Sequence, residues 1–154
     1  MLQMRKVLIT LGCIFCCIPL LLSQKSEEDA IRAVLDAETV TYSNSPLHEV
    51  WKKHWLMDDK TVLNLCTPDC TIVHYDKAGM MALPNIITGV ANAEISKSDF
   101  IYDIHGDYAT VSDMVKIFIP EDKITVITYE FRVMKKVDGA WRIHMCTLHQ
   151  TIPK

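Results

Sequence analysis

The stretch Tyr129-Glu-Phe-Arg-Val-Met-Lys-Lys-Val-Asp-Gly-Ala-Trp-Arg-Ile-His-Met-Cys-Thr-Leu-His-Gln-Thr151 decides the fold. Two alternating apolar and polar segments flank Val137-Asp138-Gly139-Ala140. Asp-Gly between such segments is the strongest short hairpin signal, because Gly accepts the positive φ of a type I′ turn. The second segment carries Trp141, then His144, Cys146 and His149, so a sheet displays polar chemistry. Working back from it, Tyr108–Ile119 and Lys123–Lys136 read as strands separated by Pro120-Glu121-Asp122, and Ser98–His105 as the strand before Gly106-Asp107. Ala140–Ile152 closes the series. Consecutive strands joined by such short turns pair antiparallel.

Upstream the periodicity changes. Ser26-Glu27-Glu28-Asp29 offers a cap and three acids to a helix N-terminus, and Ile31, Val34, Leu35 and Glu38 continue at helical spacing, which predicts a helix over 27–42. A second helix opens at Ser45-Pro46, carries Leu47, Val50, Trp51, His54 and Trp55 on one face, and stops at Asp58-Asp59. Thr61–Leu65 and Thr71–Tyr75 read as short strands, and a loop or short helix is expected near Ala82–Ile87. Helices followed by a bent antiparallel sheet define an α+β class.

The first 24 residues stand apart. Arg5 and Lys6 precede an uncharged apolar run, Val7–Leu22, and Ser23-Gln24 comes before the charges begin at Lys25. That order reads as a secretory signal peptide covering 1–24, with 25–154 as one domain. The run is shorter than the roughly 20 apolar residues of a membrane span, although an uncleaved anchor is the alternative. Removing Arg5 and Lys6 from the 16 Lys and Arg leaves 14 against 19 acids, a formal charge of −5. A mildly acidic chain carries no electrostatic footprint for nucleic acid. The expected location is the periplasm or extracellular space, with no membrane association once the signal is removed.

Export allows a disulfide. Cys66-Thr-Pro-Asp-Cys70 places two cysteines across a tight turn, where they either bond or remain two thiols. Cys13, Cys16 and Cys17 lie in the expected signal, the Cys66–Cys70 spacing is too loose for a redox Cys-x-x-Cys, and no second cysteine pair completes a zinc site, so no metal and no cofactor are expected. Cys146 reads as a small buried hydrophobe.

The chain resembles the nuclear transport factor 2-like superfamily, which includes ketosteroid isomerase, scytalone dehydratase and polyketide-cyclase-like proteins. The resemblance rests on the helix Ala30-Ile-Arg-Ala-Val-Leu-Asp-Ala-Glu-Thr39, on Trp51-Lys-Lys-His-Trp55 followed by Asp58, and on the ending Asp138-Gly-Ala-Trp-Arg-Ile-His144. It spans about residues 27–152. It implies N-terminal helices packed in a strongly curved antiparallel sheet, a cone with a pocket between them. The resemblance is nearly silent about function, because sites are grafted onto folds.

The candidate ligand-binding residues are Trp51, Trp55, His74, Tyr129 and His144. Trp51 and Trp55 are one helical turn apart and form either core or the wall for a flat ligand. His74 with Asp76 is an oriented base or a surface pair. On the strand around residue 130, the Thr128, Glu130 and Arg132 parity is expected to face solvent or a dimer partner. The Tyr129 parity is expected to face the cone. In the final strand His144 and Cys146 oppose Trp141, Ile143 and Met145, and one set is expected inside. Met80-Met81 suits an adaptable apolar lining or ordinary core. The expected function is an exported small-molecule-binding protein, taking a small apolar or aromatic ligand and forming a homodimer. A lyase or isomerase using a His or Asp base in the same pocket is the alternative, and a dimerisation module with a closed core is the third.

Overall fold

The computed structural model describes residues 24–41, 47–82 and 93–153. The expected signal segment, the Ser45-Pro46 helix start and most of the Ala82–Ile87 segment lie outside them. Helix α1 covers residues 24–41, so Ser26 sits within the helix instead of capping it. Its fully buried Ile31 and Leu35 are one turn apart and form the stripe that faces the sheet. Glu27 ties this helix to the closing hairpin, accepting hydrogen bonds from Lys136 Nζ at 2.7 Å and Trp141 Nε1 at 2.8 Å. These bonds hold the Glu27 carboxyl below its usual pKa range.

Helix α2 (Leu47–His54) buries Val50 and Trp51. It ends three residues earlier than Asp58-Asp59 suggests because the chain joins the sheet: Trp55 bridges Ile143, and Leu56 N donates to Ile143 O at 2.8 Å. Strands β1 (Val62–Cys66) and β2 (Ile72–Asp76) form a hairpin, and helix α3 (Lys77–Ala82) follows directly. Then come β3 (Glu94–His105), β4 (Tyr108–Ile119), β5 (Ile124–Val137) and β6 (Ala140–Thr151). Among the described residues no helix is long and apolar enough to cross a membrane.

The six strands form one sheet in the order β2-β1-β6-β5-β4-β3. The consecutive strands pair antiparallel as expected, but β1 runs parallel to β6, so the sheet is mixed. A parallel pair needs a long crossover, and here the rest of the domain supplies it. The cysteines of the β1–β2 turn are free thiols, so the disulfide does not form. Cys66 is the register partner of Ile72, while Cys70 lies in the turn with φ 64. The turn closes through backbone bonds between Thr67 and Thr71 and between Cys70 and Thr67.

The closing hairpin turns at Asp138 (φ 51) and Gly139 (φ 79), the paired positive φ values of a type I′ turn. A Cβ at Gly139 would meet nothing within 4 Å, so the requirement is conformational only. Gly139→Val should cost about 1 kcal/mol or more, because a β-branched residue is strained at positive φ. A thermal melt checks this, and an unchanged melting temperature would contradict it.

Two parities differ from expectation. In β5, Thr128, Glu130, Arg132 and Met134 are buried, whereas Tyr129 is 54% and Phe131 48% exposed. Register explains the inversion. Arg132 is paired with Val111 and Cys146, Thr128 with Val115, and Met134 with Ala109 and Ile143. Register partners share a face, and the apolar parity of β4 belongs in the core. The charges of β5 go in with it. In β6 the pairing jumps from Val133↔Met145 to Met134↔Ile143, leaving His144 as an extra residue. This bulge shifts the alternation by one. Trp141 and Ile143 face inward before it, and Cys146 faces inward after it. Members of both sets therefore share the core, where one set was expected, and Met145 is exposed.

Candidate functional site

The inward parities of β4, β5 and β6 and the buried faces of α1 and α2 enclose a cavity of about 280 Å³. One wall is apolar: Leu47, Val50, Trp51 and Trp55 from the helical side, with Leu63, Val115 and Leu148 from the strands. The other is polar, formed by Glu38, Lys97, Thr128, Glu130, Arg132 and Gln150.

Arg132 organises the polar wall. Its Nη1 donates to Asp113 Oδ1, its Nη2 donates to Glu130 Oε2, and Glu38 Oε2 lies 3.8 Å from Nη2. Trp55 Nε1 donates to Glu38 Oε1 at 2.9 Å, so the apolar wall is bonded to the charged one. Burial pushes the Asp113 carboxyl above its usual pKa, against the pull of Arg132 and Lys97. Burial opposes the charge of Arg132, yet the neighbouring acids hold its pKa above the ordinary value. Burial pushes the Cys146 thiol up to about 12, which keeps it neutral. Among the described residues, the buried side-chain atoms without a hydrogen-bond partner are Asp113 Oδ2, Thr128 Oγ1 and Arg132 Nε. Buried polar groups are nearly always paired, and two of these three belong to cavity-lining residues, Thr128 and Arg132. Among the described residues no group of three His, Cys, Asp or Glu side chains is placed to hold a metal ion.

Of the residues singled out from sequence, Trp51 and Trp55 line the cavity, and Trp51 is 4% exposed. The other three do not. Tyr129 lies on the outer face, because the β5 parity is inverted. His74 is exposed on β2, and its Nδ1 lies 2.8 Å from Asn64 Oδ1. His144 is buried by the bulge against the segment after α2, where its Nε2 lies 2.9 Å from Asp58 Oδ1. His54 lies outside the cavity wall too, 2.8 Å from Thr41 Oγ1. Met80 belongs to the core and Met81 is exposed. Sequence reasoning missed the polar wall. Its one signal is Asp113, a lone acid within the apolar alternation Ala109, Val111, Val115 and Ile117.

Burial works to raise the Asp58 pKa, but hydrogen bonds from His144, Lys60 N and Thr61 hold it below the usual 3.8. Its stabilising contribution is therefore present above that value and is lost as pH falls through the lower folded pKa. His144→Ala should lower stability by about 1–3 kcal/mol and leave ligand affinity per folded molecule unchanged. A melt and a titration of the same variant separate the two effects. Altered affinity at full stability would contradict the assignment.

No family model matches the sequence, and no curated protein matches it significantly. Solved structures do match. A nuclear transport factor 2-like protein from Cytophaga hutchinsonii superposes with a TM-score of 0.57 at 20% identity, over 82% of this chain and 98% of its own. A provisionally named scytalone dehydratase from Novosphingobium aromaticivorans gives 0.63 at 17% identity, over 83% and 86%. The CaMKII hub of S. rosetta gives 0.61 at 15% identity, over 81% and 95%. The chain has the nuclear transport factor 2-like fold, an α+β cone of helices against a curved mixed sheet.

Proposed function

We propose that the protein is an exported binding protein whose cavity takes a small, largely apolar molecule with one polar end. The supporting observation is the cavity itself. Two buried tryptophans form one side, and an unpartnered Thr128 hydroxyl lies on the other. An apolar enclosure with a few convergent polar groups is the usual form of a small-molecule site. The volume of about 280 Å³ lies just below the usual ~300–1,000 Å³, which favours a single-ring molecule.

The test uses 4-bromophenol, a single ring with one hydroxyl. Saturable quenching of tryptophan fluorescence is expected in the wild type and should be lost in Val115→Phe, which fills the cavity from β4. Overpacking of this kind costs about 1–3 kcal/mol, so a melt confirms that the variant is folded. Linear quenching, or equal quenching in both proteins, would overturn the reading. A lyase or isomerase is the second reading. It is favoured by Glu38 and Glu130, two carboxyls that line the cavity and are of the type that serves as a general base. Conversion of the bound molecule would distinguish it from binding alone.

Export rests on the Arg5-Lys6 start and the Val7–Leu22 run. N-terminal sequencing of secreted protein should give a start near residue 25. A homodimer is supported by the outer sheet face, where Tyr129, Phe131 and Ile101 are exposed together. Apolar patches of this kind mark interaction surfaces. Phe131→Glu should convert a dimer to a monomer in sedimentation equilibrium. A monomeric wild type would contradict the dimer.

A further inference from the structure

Lys97 of β3 lines the cavity, half-buried, beside the carboxyl and guanidinium groups of the polar wall. Among the described residues it makes no ion pair, and its hydrogen bond goes to a backbone carbonyl, Leu35 O, at 3.0 Å. The charged groups around it are Asp36 and Glu38 from α1, Asp113 from β4 and Arg132 from β5. The acids are committed elsewhere: Asp113 and Glu130 bond Arg132, Glu38 bonds Trp55, and Asp36 bonds Arg32. An ammonium withdrawn from water without a carboxylate partner is costly, and a nearby guanidinium adds to the cost. Burial, then Arg132, accordingly pulls the Lys97 amine below the usual lysine range. A desolvated lysine next to another cation is the arrangement that makes an amine nucleophilic toward carbonyl compounds.

We propose that Lys97 makes the cavity a carbonyl-binding site, in which a small aldehyde or ketone forms an imine with its Nζ. The proposal rests on the reading of the cavity as a small-molecule site. The neutral amine attacks the carbonyl carbon, and a C–N bond forms as the C=O π pair moves to oxygen. That oxygen takes up the proton released from nitrogen. The carbinolamine then loses water as its C–O bond breaks and the nitrogen lone pair closes C=N. Amine plus carbonyl gives imine plus water, with no oxidant or reductant. The remaining N–H proton of the carbinolamine leaves with the hydroxyl as water.

The test treats the wild-type protein with limiting 4-bromobenzaldehyde and sodium cyanoborohydride, which reduces the imine to a stable amine. Peptide mapping should place the bromine isotope pair on Lys97, labelled about tenfold faster than any other lysine for each pKa unit by which its amine is depressed. Lys97→Arg should keep the fold, checked by a thermal melt, and lose the adduct. If that variant fails to fold, the wild-type map alone decides. Saturable quenching with label spread over other lysines and Lys97 unmodified would overturn the imine and leave the binding cavity standing. Neither quenching nor an adduct would overturn both.

Discussion

Arg132→Met should lower stability by about 3–5 kcal/mol, the usual cost of breaking a buried ion pair from one side. Methionine fills much of the same volume, so packing is not the cause. The loss comes from Asp113 and Glu130, which keep their burial and lose the guanidinium that joins them. The pH dependence identifies the cause. Burial already raises the Asp113 carboxyl, and removing Arg132 takes away the main charge that opposes that rise. Its protonated form then gives stability that is full below the unfolded pKa and is lost as pH rises through the folded pKa. The variant should therefore recover part of its deficit in acid. Adding Asp113→Asn and Glu130→Gln should recover part of it at neutral pH. Denaturant unfolding across pH measures both. A variant as stable as the wild type at neutral pH would mean that the β5 charges face water.

Trp55→Ala should cost about 3–5 kcal/mol, as large-to-small changes of buried aromatics do. Trp55 is 7% exposed, bridges Ile143 where α2 hands the chain to the sheet, and donates to Glu38. Trp55→Phe retains most of the ring and loses the bond to a carboxylate, for which about 1.5–3 kcal/mol is expected. The alanine variant should also bind 4-bromophenol more weakly, because one wall of the cavity is gone. Chemical denaturation and fluorescence titration test the pair. Equal stability of the phenylalanine variant and the wild type would remove the Glu38 bond from the account.

The closing hairpin was legible because its turn is local: Asp138-Gly139 specifies two positive φ values whatever surrounds it. The extent of β4 was legible for the same reason, bounded by Gly106-Asp107 and Pro120. The parallel pairing of β1 with β6 has no local signature, since the partners are distant in sequence. The His144 bulge was illegible because an extra residue in β6 is defined only against the register of β5. The polar wall was misread for a similar reason. Alternation in β5 separates Thr128, Glu130 and Arg132 from Tyr129 and Phe131, but alternation does not say which set is inside. Hydrophobicity alone favours burying the aromatics. Two things reverse the choice: the register with Ala109, Val111 and Val115, and the acids Glu38 and Asp113 that approach the guanidinium from other elements. Trp51 and Trp55 were legible as a shared face, although only the assembled cone shows that this face is cavity wall as well as core.

The most direct test of the central claim is a crystal structure of the protein soaked in 4-bromophenol, with the bromine located by anomalous scattering. The account predicts a bromine peak inside the cone, between the Trp51 and Trp55 wall and the strands bearing Thr128 and Arg132. A peak confined to the outer face around Tyr129 and Phe131, with the interior closed, would contradict it.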